Sequence, residues 1–174
     1  MRRILDVLYF SAALLGALFV VAIGLLICIQ VVGRQLGVQV KGADDLTAWS
    51  VVAAGFLPLA YTFRNGRHIR VTLIIEKAGR FKRAMEFTVL VVGLFFTGYL
   101  TYSSMDMVRD SIRFNDLTQG LINIPLWIPQ ISIPIGATVL TIAILDDLLS
   151  LIFGKSPSYV LAAENEDPAD VHPD

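Results

Sequence analysis

The sequence predicts an all-α integral membrane protein, with four transmembrane helices plus a cytoplasmic amphipathic in-plane helix. Three observations predict it. Of 174 residues 55% are apolar and 17% charged, which is too little charge to coat a soluble domain of this size. The 14 Lys and Arg and the 15 Asp and Glu are so distributed that four long charge-free gaps remain. Each gap is near or above the roughly 18–20 residues that a helix needs to cross a bilayer. Between the second and third gaps, apolar residues recur at steps of three and four among basic ones, the pattern of a helix lying in the membrane surface. A net charge of −1 argues against a cationic nucleic-acid binder, and the single Cys28 rules out a disulfide framework.

The first gap runs between Asp6 and Arg34, the second between Asp45 and Arg64, the third between Glu86 and Asp106, and the fourth between Asp116 and Asp146. Spans are expected at about 8–33, 46–63, 87–106 and 125–146. The start, with Arg2 and Arg3, resembles a secretory leader, but the apolar stretch from Val7 to Gly33 far exceeds the roughly 7–15 residues of a cleavable one. It reads as an anchor that stays. A backbone in hydrocarbon has no water to bond, and no alternating ten-residue segments suggest a barrel, so each span is expected to be helical.

Four spans put both termini on the same side as the loop between spans two and three. On that side fall Arg2, Arg3, Arg64, Arg67, Arg70, Lys77, Arg80, Lys82, Arg83 and Lys155; the other side carries Arg34, Lys41, Arg109 and Arg113. The positive-inside rule then makes both termini cytoplasmic.

Within the basic loop, Val71, Ile74, Ile75, Ala78, Phe81 and Met85 share one face of a helix expected at about 70–85. Arg64, Arg70, Lys77, Arg80, Lys82 and Arg83 are candidates for contact with lipid headgroups there. Gly79 weakens that helix. Residues 1–154 are read as the four-helix transmembrane domain. Residues 155–174 form an acidic, proline-bearing cytoplasmic tail that is expected to be disordered.

On the opposite side, Asp44 and Asp45 immediately precede the second span, where carboxylates can accept the free N–H groups of a helix start. The third helix is expected to continue past Asp106 and turn near Gly120. Pro125 and Pro129, four apart, should make the start of the fourth span irregular, with Trp127 in the interfacial aromatic belt.

None of the gaps contains Asp, Glu, Lys, Arg or His, so the chain lacks the mid-membrane groups on which a self-sufficient carrier depends. His68 lies in the basic loop and His172 in the tail, leaving no pair of axial haem ligands on facing spans. No catalytic, metal-binding or substrate-binding residues and no cofactor are indicated. Gly16, Val20 and Gly24 on the first span, and Gly93, Thr97, Thr101 and Met105 on the third, form smooth stripes at steps of four. These suit close approach of another helix, within this chain or outside it. Gly55 and Pro58 fit a packing kink in the second span.

Several pieces in order then carry a resemblance. They are Gly33-Arg34, Asp44-Asp45 with Leu46 and Trp49, Arg64-Asn65-Gly66-Arg67-His68-Ile69-Arg70-Val71, and Ile124-Pro125-Leu126-Trp127 with Pro134 and Gly136. From roughly Gly33 to Gly154 the chain resembles the small membrane subunit of tripartite ATP-independent periplasmic (TRAP) transporters, the DctQ-like family. It departs from the family pattern in having aspartates at 44 and 45, where glutamate is more usual, and Thr72 where an aspartate commonly follows.

The resemblance implies a multi-pass protein of the bacterial inner membrane. Its partners would be a large DctM-like membrane subunit, which carries the sodium and organic-acid sites, and a periplasmic DctP-like substrate-binding protein. The small subunit would brace the static part of the large one and help dock the binding protein. Arg34, Asp44, Asp45, Trp49, Arg67, His68, Pro125, Trp127, Pro129 and Gln130 are the candidates for subunit interface or docking. For Asp44 and Asp45 the bland alternative is helix capping, for Trp49 packing or anchoring, and for the proline segment internal architecture. Rivals from other classes are a membrane anchor subunit of a redox enzyme and an autonomous small exporter.

Overall fold

The computed structural model describes residues 2–38, 40–64 and 82–153. The expected in-plane helix up to residue 81, with Arg67, His68, Arg70, Lys77 and Arg80, and the tail from 155 lie outside the described residues. The order is α1 (Arg2–Gln35), α2 (Ala43–Phe56), α3 (Leu59–Arg64), α4 (Lys82–Arg113), α5 (Trp127–Gln130) and α6 (Ser132–Ile152). Among the described residues four stretches are long and apolar enough to cross a membrane: Leu5–Gln35, the broken helix Ala43–Arg64, Arg83–Arg113 and Trp127–Ile152. Among the described residues there is no strand, only an isolated antiparallel bridge between Leu117 and Pro125. Lys82–Met85, expected to end the in-plane helix, instead open α4 and run straight into the third span.

The helices alternate in direction. The starts of α1 and α4 and the ends of α3 and α6 therefore share one end of the molecule, the terminal end. Residues 36–42 and 114–126 form the loop end. Packing passes from α1 to α2–α3, then to α6, then to α4; α1 and α4 are not among the extensively packed pairs. In the most apolar stretch of the fourth span 44% of residues lie inside the protein, against 11% in the first and third spans, which makes α6 the centre and α1 and α4 the flanks.

That order follows from side-chain size. Among the described side chains of α1, Tyr9, Ala12 and Gly16 are the buried ones, at steps of three and four, while Leu14, Leu18, Val21 and Leu25 point outward. An outward apolar face is favourable where the solvent is hydrocarbon, so α1 needs only a narrow inner stripe. Pro58 divides the second span because it lacks an N–H and its ring crowds the carbonyl four residues earlier. α2 accordingly stops at Phe56 and α3 starts at Leu59.

The break is covered from both sides. A Cβ on Gly16 would stand 2.8 Å from Pro58 Cδ, and one on Gly136 would collide with the Phe56 carbonyl. Only hydrogen at these positions lets α1 and α6 close on the broken backbone. Thr62 stitches the start of α3, donating its N–H to the Pro58 carbonyl at 3.0 Å and its hydroxyl to the Leu59 carbonyl at 2.9 Å.

Gly93, Thr97 and Thr101 of the stripe on the third span are spent inside the chain, while Met105 stays exposed. Gly93 faces Ile144, and the Thr101 and Thr141 hydroxyls meet at 3.0 Å across the α4–α6 seam. Thr97 and Thr101 also bond carbonyls one turn back, at 2.9 Å each, so neither of these hydroxyls is left bare in an apolar setting. Leu90, Ile144, Leu148 and Leu151 close that seam toward the terminal end. On the first span Gly16 is used internally, whereas Gly24 has open space before it.

Gly136→Ala is expected to lower the thermal midpoint of the full chain in detergent, at a cost of about 1–3 kcal/mol for forced overpacking. Gly24→Ala, which meets nothing, should leave the midpoint unchanged or raise it, since glycine inside a helix costs roughly 0.5–1 kcal/mol relative to alanine. Equal effects of the two changes would refute the assignment of Gly136 as the closure point.

Candidate functional site

The loop end holds most of the candidate residues, and its geometry starts from two turns. α1 ends in hydrogen bonds from the Leu36 N–H to the Val32 carbonyl at 3.1 Å and from the Val38 N–H to the Gly33 carbonyl at 2.8 Å, which fold the chain back toward α2. Gly42 then takes a left-handed backbone at φ 79°, where a Cβ would be strained and would also run into Ile122. α4 ends at Arg113, and Asn115, at φ 52°, turns the chain into a small hairpin. The Thr118 N–H donates to the Ile124 carbonyl at 2.9 Å and the Leu126 N–H to the Asp116 carbonyl at 2.8 Å. The Thr118 hydroxyl closes the loop onto the Ile122 carbonyl.

Asp45 joins these two turns. Its Oδ2 accepts the Leu121 N–H at 2.8 Å and the Ile122 N–H at 3.4 Å, and Gly120 lies so close that a side chain there would strike the carboxylate. Helix capping is therefore not what the aspartate pair does: α2 starts after Gly42 with no side-chain cap bond. The reason is register. Both carboxylates fall within the first turn rather than before it, so Asp45 reaches across to another loop while Asp44 points outward. Either charge still opposes the positive end of the helix dipole.

Asp44 lines a recess of about 290 Å³ together with Gln30, Arg34, Gly37, Val38, Val40 and Leu121. Gln30 Nε2 donates to the Thr47 hydroxyl at 3.2 Å, which in turn donates to the Ala43 carbonyl at 2.8 Å, so α1 and α2 are bonded to each other at its floor. Arg34 is exposed at its rim.

The proline segment builds structure beside it. Pro125 pairs with Leu117, Trp127 opens the one-turn helix α5, and Gln130 Oε1 accepts the Ser111 hydroxyl at 2.7 Å. Trp127, Pro129 and Gln130 are half-buried and Pro125 is exposed. Trp49 is half-buried on α2, one turn after Asp45. Arg34, Asp44, Asp45, Pro125, Trp127, Pro129 and Gln130 thus all belong to the loop end, while Arg67 and His68 are outside the described residues.

The terminal end gathers a second polar group, only part of which the charge-free gaps anticipated. Arg64, expected at the headgroups, turns inward: its Nη2 lies 2.8 Å from Asp6 Oδ1, its guanidinium carbon stands 5.1 Å from the centre of the Tyr9 ring, and its side chain is only 18% exposed. Asp147 is 1% exposed and Glu86 5%. Arg83 donates from Nη2 to the Leu151 carbonyl at 3.2 Å, tying α4 to the end of α6. Glu86 and Asp146 stood at the edges of apolar gaps and read as span limits. The helices run past both, so Glu86 and Asp147, the neighbour of Asp146, are buried polar residues within the bundle. The signal was the apolar Leu148–Leu151 segment with Ser150 beyond Asp147. Among the described residues no three His, Cys, Asp or Glu side chains converge as metal ligands.

This arrangement defines a polytopic helical membrane protein in which, among the described residues, the charged side chains gather at the two ends, where Asp45, Asp6, Arg64 and Arg83 join helices and loops. Comparison with family models assigns it further: residues 23–154 match the DctQ component of tripartite ATP-independent periplasmic transporters, and the chain belongs to that family. Searches of curated proteins and of solved structures returned no match. Membership makes the chain a small permease subunit of a TRAP transporter, from a family that works with DctM and DctP components.

Replacing Asp45 by Ala removes the carboxylate acceptor of two backbone N–H groups in an exposed loop, a net loss of about 1 kcal/mol. Hydrogen exchange at residues 119–124 and protease cleavage in that loop are expected to accelerate in D45A and to stay unchanged in D44A. Comparable acceleration in both variants would show that the clasp does not hold the loop.

Proposed function

We propose that this chain is the non-catalytic small subunit that scaffolds the large sodium-coupled organic-acid permease subunit and helps dock the periplasmic substrate-binding protein, with both termini cytoplasmic. The family match carries this reading. Charge placement supports it. Within the four gaps there is no charged side chain to neutralise an anion at mid-membrane, which suits a chain that stays still while another subunit moves the cargo.

The flanks of the fold supply what a static wall requires. α1 presents Leu14, Leu18, Val21 and Leu25, and α4 presents Phe95, Phe96 and Tyr99, all exposed. In a membrane such faces meet either lipid or a neighbouring helix, and packing rather than hydrophobicity selects the neighbour. At the loop end, which this orientation places in the periplasm, the recess around Arg34 and Asp44 offers both signs of charge above a bonded floor. That is a suitable footing for a soluble partner, because opposite charges at the rim of an interface govern encounter and register.

Co-expression with the product of a neighbouring large membrane-subunit gene should yield a complex stable in mild detergent or nanodiscs. Uptake of the organic acid in proteoliposomes should need all three components. In that assay Arg34→Glu is expected to raise the concentration of loaded binding protein required for half-maximal uptake while leaving co-purification intact. Failure to co-purify, together with uptake unaffected by omitting this chain, would overturn the reading; reporter fusions facing the periplasm at either terminus would overturn the orientation.

A further inference from the structure

A groove of about 430 Å³ opens on the outer side of the α4–α6 seam, lined by Met105, Val108, Ile135, Thr138 and Val139, with Arg109 at its mouth. The walls are apolar. Even Thr138 contributes no demand for a partner, since its hydroxyl donates to the Pro134 carbonyl at 2.6 Å. Arg109 is exposed, and among the described residues its guanidinium makes no hydrogen bond or ion pair.

Depth adds the second constraint. Arg109 stands roughly 35 Å along α4 from Glu86 at 1.5 Å per residue, and Thr138 roughly 9 Å along α6 from its first residue. The Thr101–Thr141 contact fixes the register of the two helices and puts Arg109 about 7 Å nearer the loop end than Thr138, so Arg109 reaches headgroup level where Thr138 lies among the acyl chains of the same leaflet.

We propose that this groove is a phospholipid site, in which one acyl chain lies along Met105, Ile135 and Thr138 and the phosphodiester pairs with Arg109. A guanidinium at headgroup height needs a counter-charge, and a phosphate oxygen pair matches its planar fork. Asp106 and Asp110 lie within one turn of Arg109, so the locality carries no net positive charge. A zwitterionic headgroup, which brings its own ammonium toward these carboxylates, matches that field better than a net anionic one. The site is independent of the proposed scaffold role.

The test uses the full chain in vesicles of phosphatidylethanolamine and phosphatidylglycerol, with a trace of phosphatidylethanolamine bearing a photoactivatable diazirine in its acyl chain. Adducts are expected to concentrate on Met105, Ile135 and Thr138. Arg109→Gln should lower them about fivefold, the worth of roughly 1 kcal/mol for one exposed charged contact, while Arg109→Lys retains most of them. Adducts on the exposed α1 face at Leu18 and Leu25 should be unaffected and serve as the folding control. Groove adducts no denser than those on α1, or unchanged in Arg109→Gln, would overturn the site. So would loss of the groove adducts when the complex with the large subunit is assembled. Preferential labelling by the corresponding phosphatidylglycerol probe would overturn the headgroup assignment.

Discussion

Inside hydrocarbon no backbone polar group can turn to water, and the proline break in the second span is where this chain meets that constraint most directly. Pro58 removes one N–H from the helical ladder and splits α2 from α3, exposing carbonyls that a continuous helix would have used. Protein must cover them. Gly16 brings α1 onto the Pro58 ring and Gly136 brings α6 onto the Phe56 carbonyl, so the order of helices across the molecule is organised around this point. α6 becomes the centre because it serves two neighbours, α2–α3 on one side and α4 on the other. α1 and α4 are left with lipid-compatible outer faces.

The two ends solve a different problem. At the loop end a single carboxylate, Asp45, accepts backbone donors from the hairpin after α4 and so joins the start of the second span to the approach of the fourth. At the terminal end the Asp6–Arg64 pair, the Tyr9 ring beneath it and the Arg83 bond to Leu151 bind α1 to α3 and α4 to α6. Charges that would be costly at mid-membrane are thus placed where headgroups and water lower their cost, and each described pair joins two segments of chain. A frame fastened at both ends suits the proposed role of a subunit against which a larger one works.

How far the residues alone carried the reading can be seen position by position. The four spans were legible because a charge-free run is a direct statement about solvation, and the irregular start of the fourth was legible from Pro125 and Pro129. The kink at Pro58 was legible for the same covalent reason. The purpose of Asp45 was not, because a carboxylate at a helix start looks like a cap whether its acceptor oxygens face its own helix or a loop distant in sequence. Glu86 and Asp146 bounded the apolar gaps although the helices run past both, since a count of charges cannot tell a helix that stops from one that continues with an acid turned inward, as Glu86 and Asp147 are. The lone guanidinium of Arg109 over an apolar groove had no signature at all, because its walls come from two helices.

Sequence by itself thus determined that the chain lives in a bilayer, how many times it crosses, and to which family it bears likeness. These follow from local composition, and burial in lipid is decided residue by residue along a single helix. Only the tertiary structure decided which helix stands at the centre, which glycines are contact points and which charges are partners. Those outcomes depend on distances between segments far apart in the chain, and no periodicity within one helix encodes the face of another.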